Sequence, residues 1–230
     1  VKRFYADVAI GPDRGILLDG RPVRTPARAL LTLPTPALAE AVAGEWRAQG
    51  ERIDPKAMPF TGLANAAIDR VAPDPAAFAA PLAAYAETDL LCYRAEEPPA
   101  LVAAEATAWD PLLDGARRRY DVHFEVASGI VHRPQPRATV ARLAEALAAR
   151  DAFALAAMNP LVTIGGSLVA ALAVAERAID ADAAFAATHR DELWQAEQWG
   201  EDWMAADMRA ARQRDFVAAA DFLALLREEN

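Results

Sequence analysis

An α+β fold is what this 230-residue chain predicts: an amino-terminal antiparallel β-sheet with helices, then a carboxy-terminal part that is mainly helical. Three observations carry the prediction. Alanine, the strongest helix former, supplies roughly a quarter of the residues. β-Branched and aromatic residues alternate with turn dipeptides ahead of Pro34. From Leu101 onward, apolar residues recur at helical spacing instead. The change falls at Pro98-Pro99, which divides the chain into an α+β amino-terminal domain, 1–98, and a mainly helical carboxy-terminal domain, 99–230.

Residues 4–10 have the composition of a strand, and Gly11-Pro12-Asp13 turns it. Residues 16–18 form a second strand, Asp19-Gly20 is the strongest hairpin signal in the chain, and residues 21–24 return. Residues 29–33 add a fourth strand to this meander. Thr35 then N-caps a helix with Pro36 at its first position, running to about Gln49 before Gly50. Its Leu38, Val42 and Trp46 recur at i, i+4, i+8, which turns Trp46 toward the core. Further helices cover residues 59–70 and 75–87, and 90–94 reads as a short buried strand. The segment 101–120 is helical, with a new turn or kink expected at Pro111. Residues 122–130 alternate like a strand. Helices follow at 137–149, 151–158, 161–178 and 182–227, the last interrupted.

Composition excludes several function classes. A chain that is 54% hydrophobic can bury a full core. A net charge of −9 disfavours nucleic acid and anionic membranes as partners. The single cysteine, Cys92, allows no intramolecular disulfide, so a reducing compartment is expected. No apolar run approaches the roughly 20 residues of a membrane span, and the start carries no signal or transit pattern. A soluble protein follows, cytoplasmic in a bacterium, or in the mitochondrial matrix if eukaryotic.

No residue set supports catalysis. The three histidines, His123, His132 and His189, lack metal-site spacing, so neither a metal nor another cofactor is expected. Gly165-Gly166-Ser167 opens an apolar helix and could hold an anion there, but it lacks the lysine of a P-loop; Ser167 as an N-cap is the plainer reading. Cys92 sits in an apolar run and reads as a small buried hydrophobe. Asp89 and Arg94 flank it and could form a buried pair.

Near the end stands Asp191-Glu192-Leu193-Trp194-Gln195-Ala196-Glu197-Gln198-Trp199-Gly200-Glu201-Asp202-Trp203. It holds three of the five tryptophans, and from Asp191 to Met208 there are six carboxylates and no lysine or arginine. On a helix, Glu192, Ala196, Trp199 and Trp203 share one stripe, while Trp194, Glu197 and Glu201 take the other side. Trp199 and Trp203 can then be core anchors, with Arg190 stacked on Trp194. The alternative is a binding face, with tryptophan as anchor and a carboxylate beside it setting specificity. Chemistry alone leaves both open and leans to the core seam.

The segment Asp191 to Gln195 with Trp199-Gly200 resembles the signature of the F1-ATPase assembly chaperones that escort the α subunit. So do Leu18-Asp19-Gly20-Arg21-Pro22-Val23, Glu45-Trp46, Met58-Pro59, Thr88-Asp89-Leu90-Leu91-Cys92-Tyr93-Arg94, Trp109-Asp110-Pro111 and Gly166-Ser167-Leu168, in order along nearly the whole chain. The resemblance implies a non-enzymatic chaperone, monomeric alone, that masks the unassembled α subunit without ATP hydrolysis. It implies partner-binding roles for Glu192, the most critical acidic position, and for Asp191, Trp194, Gln195, Trp199 and Gly200, with Glu192 pairing a basic or amide group of the client. Trp203 and Glu105 depart from the family pattern, which has a carboxylate and a glutamine there in many members. Two other readings remain: a small-ligand enzyme using Asp89, Arg94 or Gly165-Gly166-Ser167, and an adaptor within the assembled synthase.

Overall fold

In the computed structural model, which describes residues 1–129 and 131–227, the chain opens on an antiparallel meander. Its strands are β1 (Val8–Ile10), β2 (Ile16–Leu18) and β3 (Arg21–Pro22), paired in that order. Val8 lies opposite Leu18 and Ile10 opposite Ile16, and Val8, Ile16 and Leu18 are buried, so the alternation turns one face inward. Asp19 and Gly20 supply the positive φ angles, 49° and 75°, that the two-residue turn demands. The first strand begins at Val8 and not at Phe4, whose ring is exposed. The expected fourth strand is reduced to single bridges, Arg24 with Leu30 and Gly15 with Thr32.

Helix α1 (Pro36–Arg47) is capped by Thr35, whose Oγ1 accepts from Leu38 N–H at 3.2 Å and donates to the Leu225 carbonyl at 2.6 Å. One hydroxyl thus ties the first helix to the last. Next come α2 (Pro59–Ala66), continued by a π turn (Ala67–Val71), and α3 (Pro75–Ala83) with a closing 3-10 turn (Ala84–Ala86). The strand expected at 90–94 is a 3-10 turn (Leu90–Cys92) followed by a two-residue β4 (Tyr93–Arg94). The cause is Asp89, whose carboxylate accepts from Leu91 N–H at 3.1 Å and curls the backbone.

Helix α4 (Pro99–Tyr120) runs through Pro111 without ending there. A proline removes one helical hydrogen bond, yet Trp109, Leu112, Leu113 and Ala116 are all buried around it, and packing outweighs the loss. The same holds for Pro160 inside α6 (Ala152–Gly165), where sequence reasoning ended one helix and began another. Only β5 (Ala127–Ser128) remains of the strand expected over 122–130, and it pairs in parallel with β4; the last residue of that expectation, Ile130, lies outside the described residues. The backbone before it is held by side chains instead. Gln135 bonds both Glu125 N–H and its carbonyl, and Thr139 does the same for His123.

The remaining helices are α5 (Arg137–Ala148), α7 (Leu168–Ala175), α8 (Ala181–Thr188), α9 (Arg190–Trp199) and α10 (Trp203–Leu225). The α6–α7 pair forms the centre of the core, with α10 laid along α6. One continuous apolar cluster includes Leu38, Val42 and Leu91 from one side of Pro98 and Leu113, Leu161 and Phe216 from the other. Among the described residues no helix is long and apolar enough to cross a membrane.

Candidate partner-binding site

Every residue over 190–215 is described, and none is buried. Helix α8 ends in buried Thr188 and His189, the latter stacked on Phe185 at 3.8 Å; α10 regains the core only at Phe216. Between them α9 and the first half of α10 form an elbow at the edge of the core, with α9 resting on α4. Gly200, at φ +88°, ends α9 in a conformation that favours glycine. Asp202 then caps α10, its Oδ1 accepting from Met204 and Ala205 N–H at 2.9 and 3.0 Å.

Ion pairs tie this elbow together, beside the partly buried Leu193, Trp194 and Ala196 of α9. Glu192 accepts from Arg209 at 3.1 Å on one oxygen and from Arg212 at 2.6 Å on the other. Arg209 also pairs Glu201, and Arg190 pairs Glu197 at 2.7 Å. Arg190 therefore faces a carboxylate where stacking on Trp194 was expected. Trp194 is half-buried, and its ring meets Trp199 edge-on at 5.8 Å.

The core-anchor reading of Trp199 and Trp203 is overturned: they are 75% and 76% exposed. The helix breaks at Gly200, so Trp203 belongs to α10 and never shares a stripe with Trp199. Met204 and Met208 are exposed beside them, at 55% and 65%. Gln195 and Gly200 are exposed too.

Asp191, also exposed, faces a buried carboxyl on α4. Glu105 is fully shielded; its Oε2 accepts from Ala95 N–H at 2.8 Å, and the Asp191 carboxyl lies within hydrogen-bonding reach of it. Burial pushes the Glu105 carboxyl up to about 7, and the Asp191 carboxyl beside it pushes the same way. Trp109 donates its indole N–H to the Ala187 carbonyl at 2.7 Å, which fixes α8 on α4 just before α9 departs.

The ligand-site alternatives resolve into structure. Arg94 pairs Asp110 at 2.7 Å and lies over the Trp109 ring at 5.0 Å, so the expected Asp89–Arg94 pair is replaced. Asp89 instead turns toward α7. Its carboxylate accepts from Val169 N–H at 3.0 Å and from Leu91, while Ser167 caps Ala170 N–H at 2.9 Å. The helix start that could have held a free anion is filled by the chain's own carboxylate. Burial raises Asp89 to about 6, against the hydrogen bonds it receives. Cys92 is fully buried and its thiol is pushed up to about 12 by burial, then by Asp89. The apolar cleft of about 470 Å³ between α4 and α7 is lined by neither perturbed carboxylate. Among the described residues no cluster of metal-ligating side chains occurs.

Arg209 and Arg212 as the cations of Glu192, and Met204 and Met208 as neighbours of Trp203, are what sequence reasoning missed. The methionines were legible as an i, i+4 pair within the segment that lacks lysine and arginine.

The family profile described as ATP12 chaperone protein matches residues 2–117. Atp12 from Paracoccus denitrificans is 44% identical, with a TM-score of 0.94 over 98% of each chain. A point variant of Atp12p from the same organism matches at 44% identity and 0.93, again over 98% of each. Atu1473 from Agrobacterium tumefaciens, a candidate chaperone, is 43% identical with a TM-score of 0.93, covering 98% of this chain and 86% of that one.

Proposed function

This chain belongs to the ATP12 chaperone family of ATP synthase assembly factors, and we propose that it binds the unassembled α subunit of the F1 head and masks it until the β subunit takes its place. Masking of this kind needs no ATP hydrolysis and no catalytic residue. An unassembled subunit exposes adhesive apolar surface, and a cover for it must itself display apolar surface to water. The chain would do so as a monomer in a bacterial cytoplasm.

The observation that carries this reading is the elbow: residues 190–215 contribute nothing buried to the core, yet display Trp199 at 75% exposure. Tryptophan is the preferred anchor of protein interfaces, and a side chain of this size left in water forgoes about 1.5–3 kcal/mol of burial. Within this reading Trp194 and Trp199 supply the apolar contact, Gly200 sets the turn, and Asp191 and Gln195 form the polar rim. Both Glu192 oxygens are already engaged by Arg209 and Arg212, so Glu192 acts by holding α9 against α10.

The test is capture of the α subunit from the same source by the wild-type chain and by Glu192→Lys. The substitution sets a third cation against Arg209 and Arg212 and opens the elbow, so capture should be lost. Exposed ion pairs contribute only about 0–1 kcal/mol to folding, but Arg209 is 11% exposed, so the melting temperature should fall and capture is compared on folded protein. Undiminished capture by a folded Glu192→Lys protein rules the assignment out.

A further inference from the structure

We infer that the outer face of this elbow takes a basic amphipathic helix of the client, with Trp203, Met204 and Met208 against its apolar stripe and Asp207 against one of its cations; the inference rests on the chaperone reading above and names the chemistry of what is bound. None of these four residues belongs to the motif from Asp191 to Gly200.

The geometry is that of one helical face. Trp203 and Asp207 are one turn apart on α10, as are Met204 and Met208, so the two pairs form adjacent stripes. All four side chains are exposed, the three apolar ones at 76%, 55% and 65%. Methionine is unbranched and polarizable and adapts to differing partner side chains, and a stripe of this spacing matches the i, i+3, i+4 anchors of an amphipathic helix.

Charge decides which helix. Seven carboxylates face four arginines over residues 190–215, and three of those arginines are engaged within the elbow, Arg190 with Glu197, Arg209 with Glu192 and Glu201, and Arg212 with Glu192, while Arg214 is exposed. Asp207 is in none of these ion pairs. The outward face therefore presents apolar surface beside the Asp207 carboxylate, on a segment whose net charge is negative. Lysines or arginines flanking the partner's apolar stripe complement it. A second copy of this chain, or an anionic lipid surface, would bring like charge against like.

Two ligands test this, the unassembled α subunit and a synthetic leucine–lysine helix of about five turns, with its leucine–glutamate counterpart as control. The leucine–lysine peptide should bind and perturb tryptophan fluorescence, more weakly as salt rises, while the glutamate peptide should not bind. Replacing Trp203, Met204 and Met208 together with alanine should weaken binding of both the peptide and α by about tenfold or more, and Asp207→Lys should act in the same direction. Circular dichroism should be unchanged, since none of the four is buried. Equal binding of the two peptides, or unchanged α capture by the triple variant, overturns the inference; in the latter case the α assignment survives. A chain that binds the basic peptide through Trp203 but ignores α keeps the surface and loses α as its client.

Discussion

Arg212 Nη2 stands 2.6 Å from Glu192 Oε2, bridging α9 and α10 across the elbow. Arg209 holds the other oxygen, so one carboxylate fixes the angle between two helices that share no buried side chain in this region. A charge exchange isolates that contact. Glu192→Arg and Arg212→Glu should each lose client capture, and the double exchange should recover part of it. Binding measured by calorimetry on all four proteins checks this; a double variant no better than the singles would mean that the bridge does not set the elbow.

Glu105 makes stability pH-dependent with a definite sign. Its folded-state value of about 7 lies above the ordinary 4.5, so between those values the folded protein binds more protons than the unfolded chain. The Glu105 contribution to stability is then fully present below about 4.5 and is lost as pH rises through about 7. Asp89, raised to about 6, acts in the same sense at lower pH. The window from pH 6 to 8 therefore separates them. Glu105→Gln should remove that part of the pH dependence in urea titrations, and a variant whose stability changes with pH as the wild type's does would contradict the assignment.

Asp89 closes the start of α7 from outside that helix. Asp89→Ala leaves the Val169 and Leu91 N–H groups without this acceptor in a dry interior, and loss of about 1–3 kcal/mol is expected, seen as a lower urea midpoint. Because this carboxylate is far from the elbow in the chain and joins only buried elements, client binding by the folded fraction should be unchanged.

Cys92 should be inert. With its thiol buried and its pKa pushed up to about 12, thiolate at neutral pH is scarce. Aromatic disulfide reagents should label it only at the rate of unfolding. Prompt labelling of native protein would show that the turn over Leu90–Cys92 opens on its own.

Much of this architecture was legible in the sequence because it is encoded locally. Thr35-Pro36, Asp19-Gly20 and Gly166-Ser167 act within a few residues, and each produced the cap or turn it signals. Helix continuity at Pro111 and Pro160 was not legible, because it depends on burial of residues on both sides against other helices. The strands at 90–94 and 122–130 shortened because Asp89, Gln135 and Thr139 capture backbone groups that a ladder would have used. At the elbow, tryptophan implied burial by base rate alone. Only the break at Gly200, which separates Trp199 from Trp203, shows that neither reaches the core.

Because no residue over 190–215 is fully buried, the residues that display tryptophan and methionine are largely distinct from those that fill the core. Mutations in one set are nearly free of consequence for the other. The elbow is in that sense a cassette: exchanged between relatives at His189 and Phe216, it should bring the donor's client preference to the recipient while the recipient's melting temperature changes little.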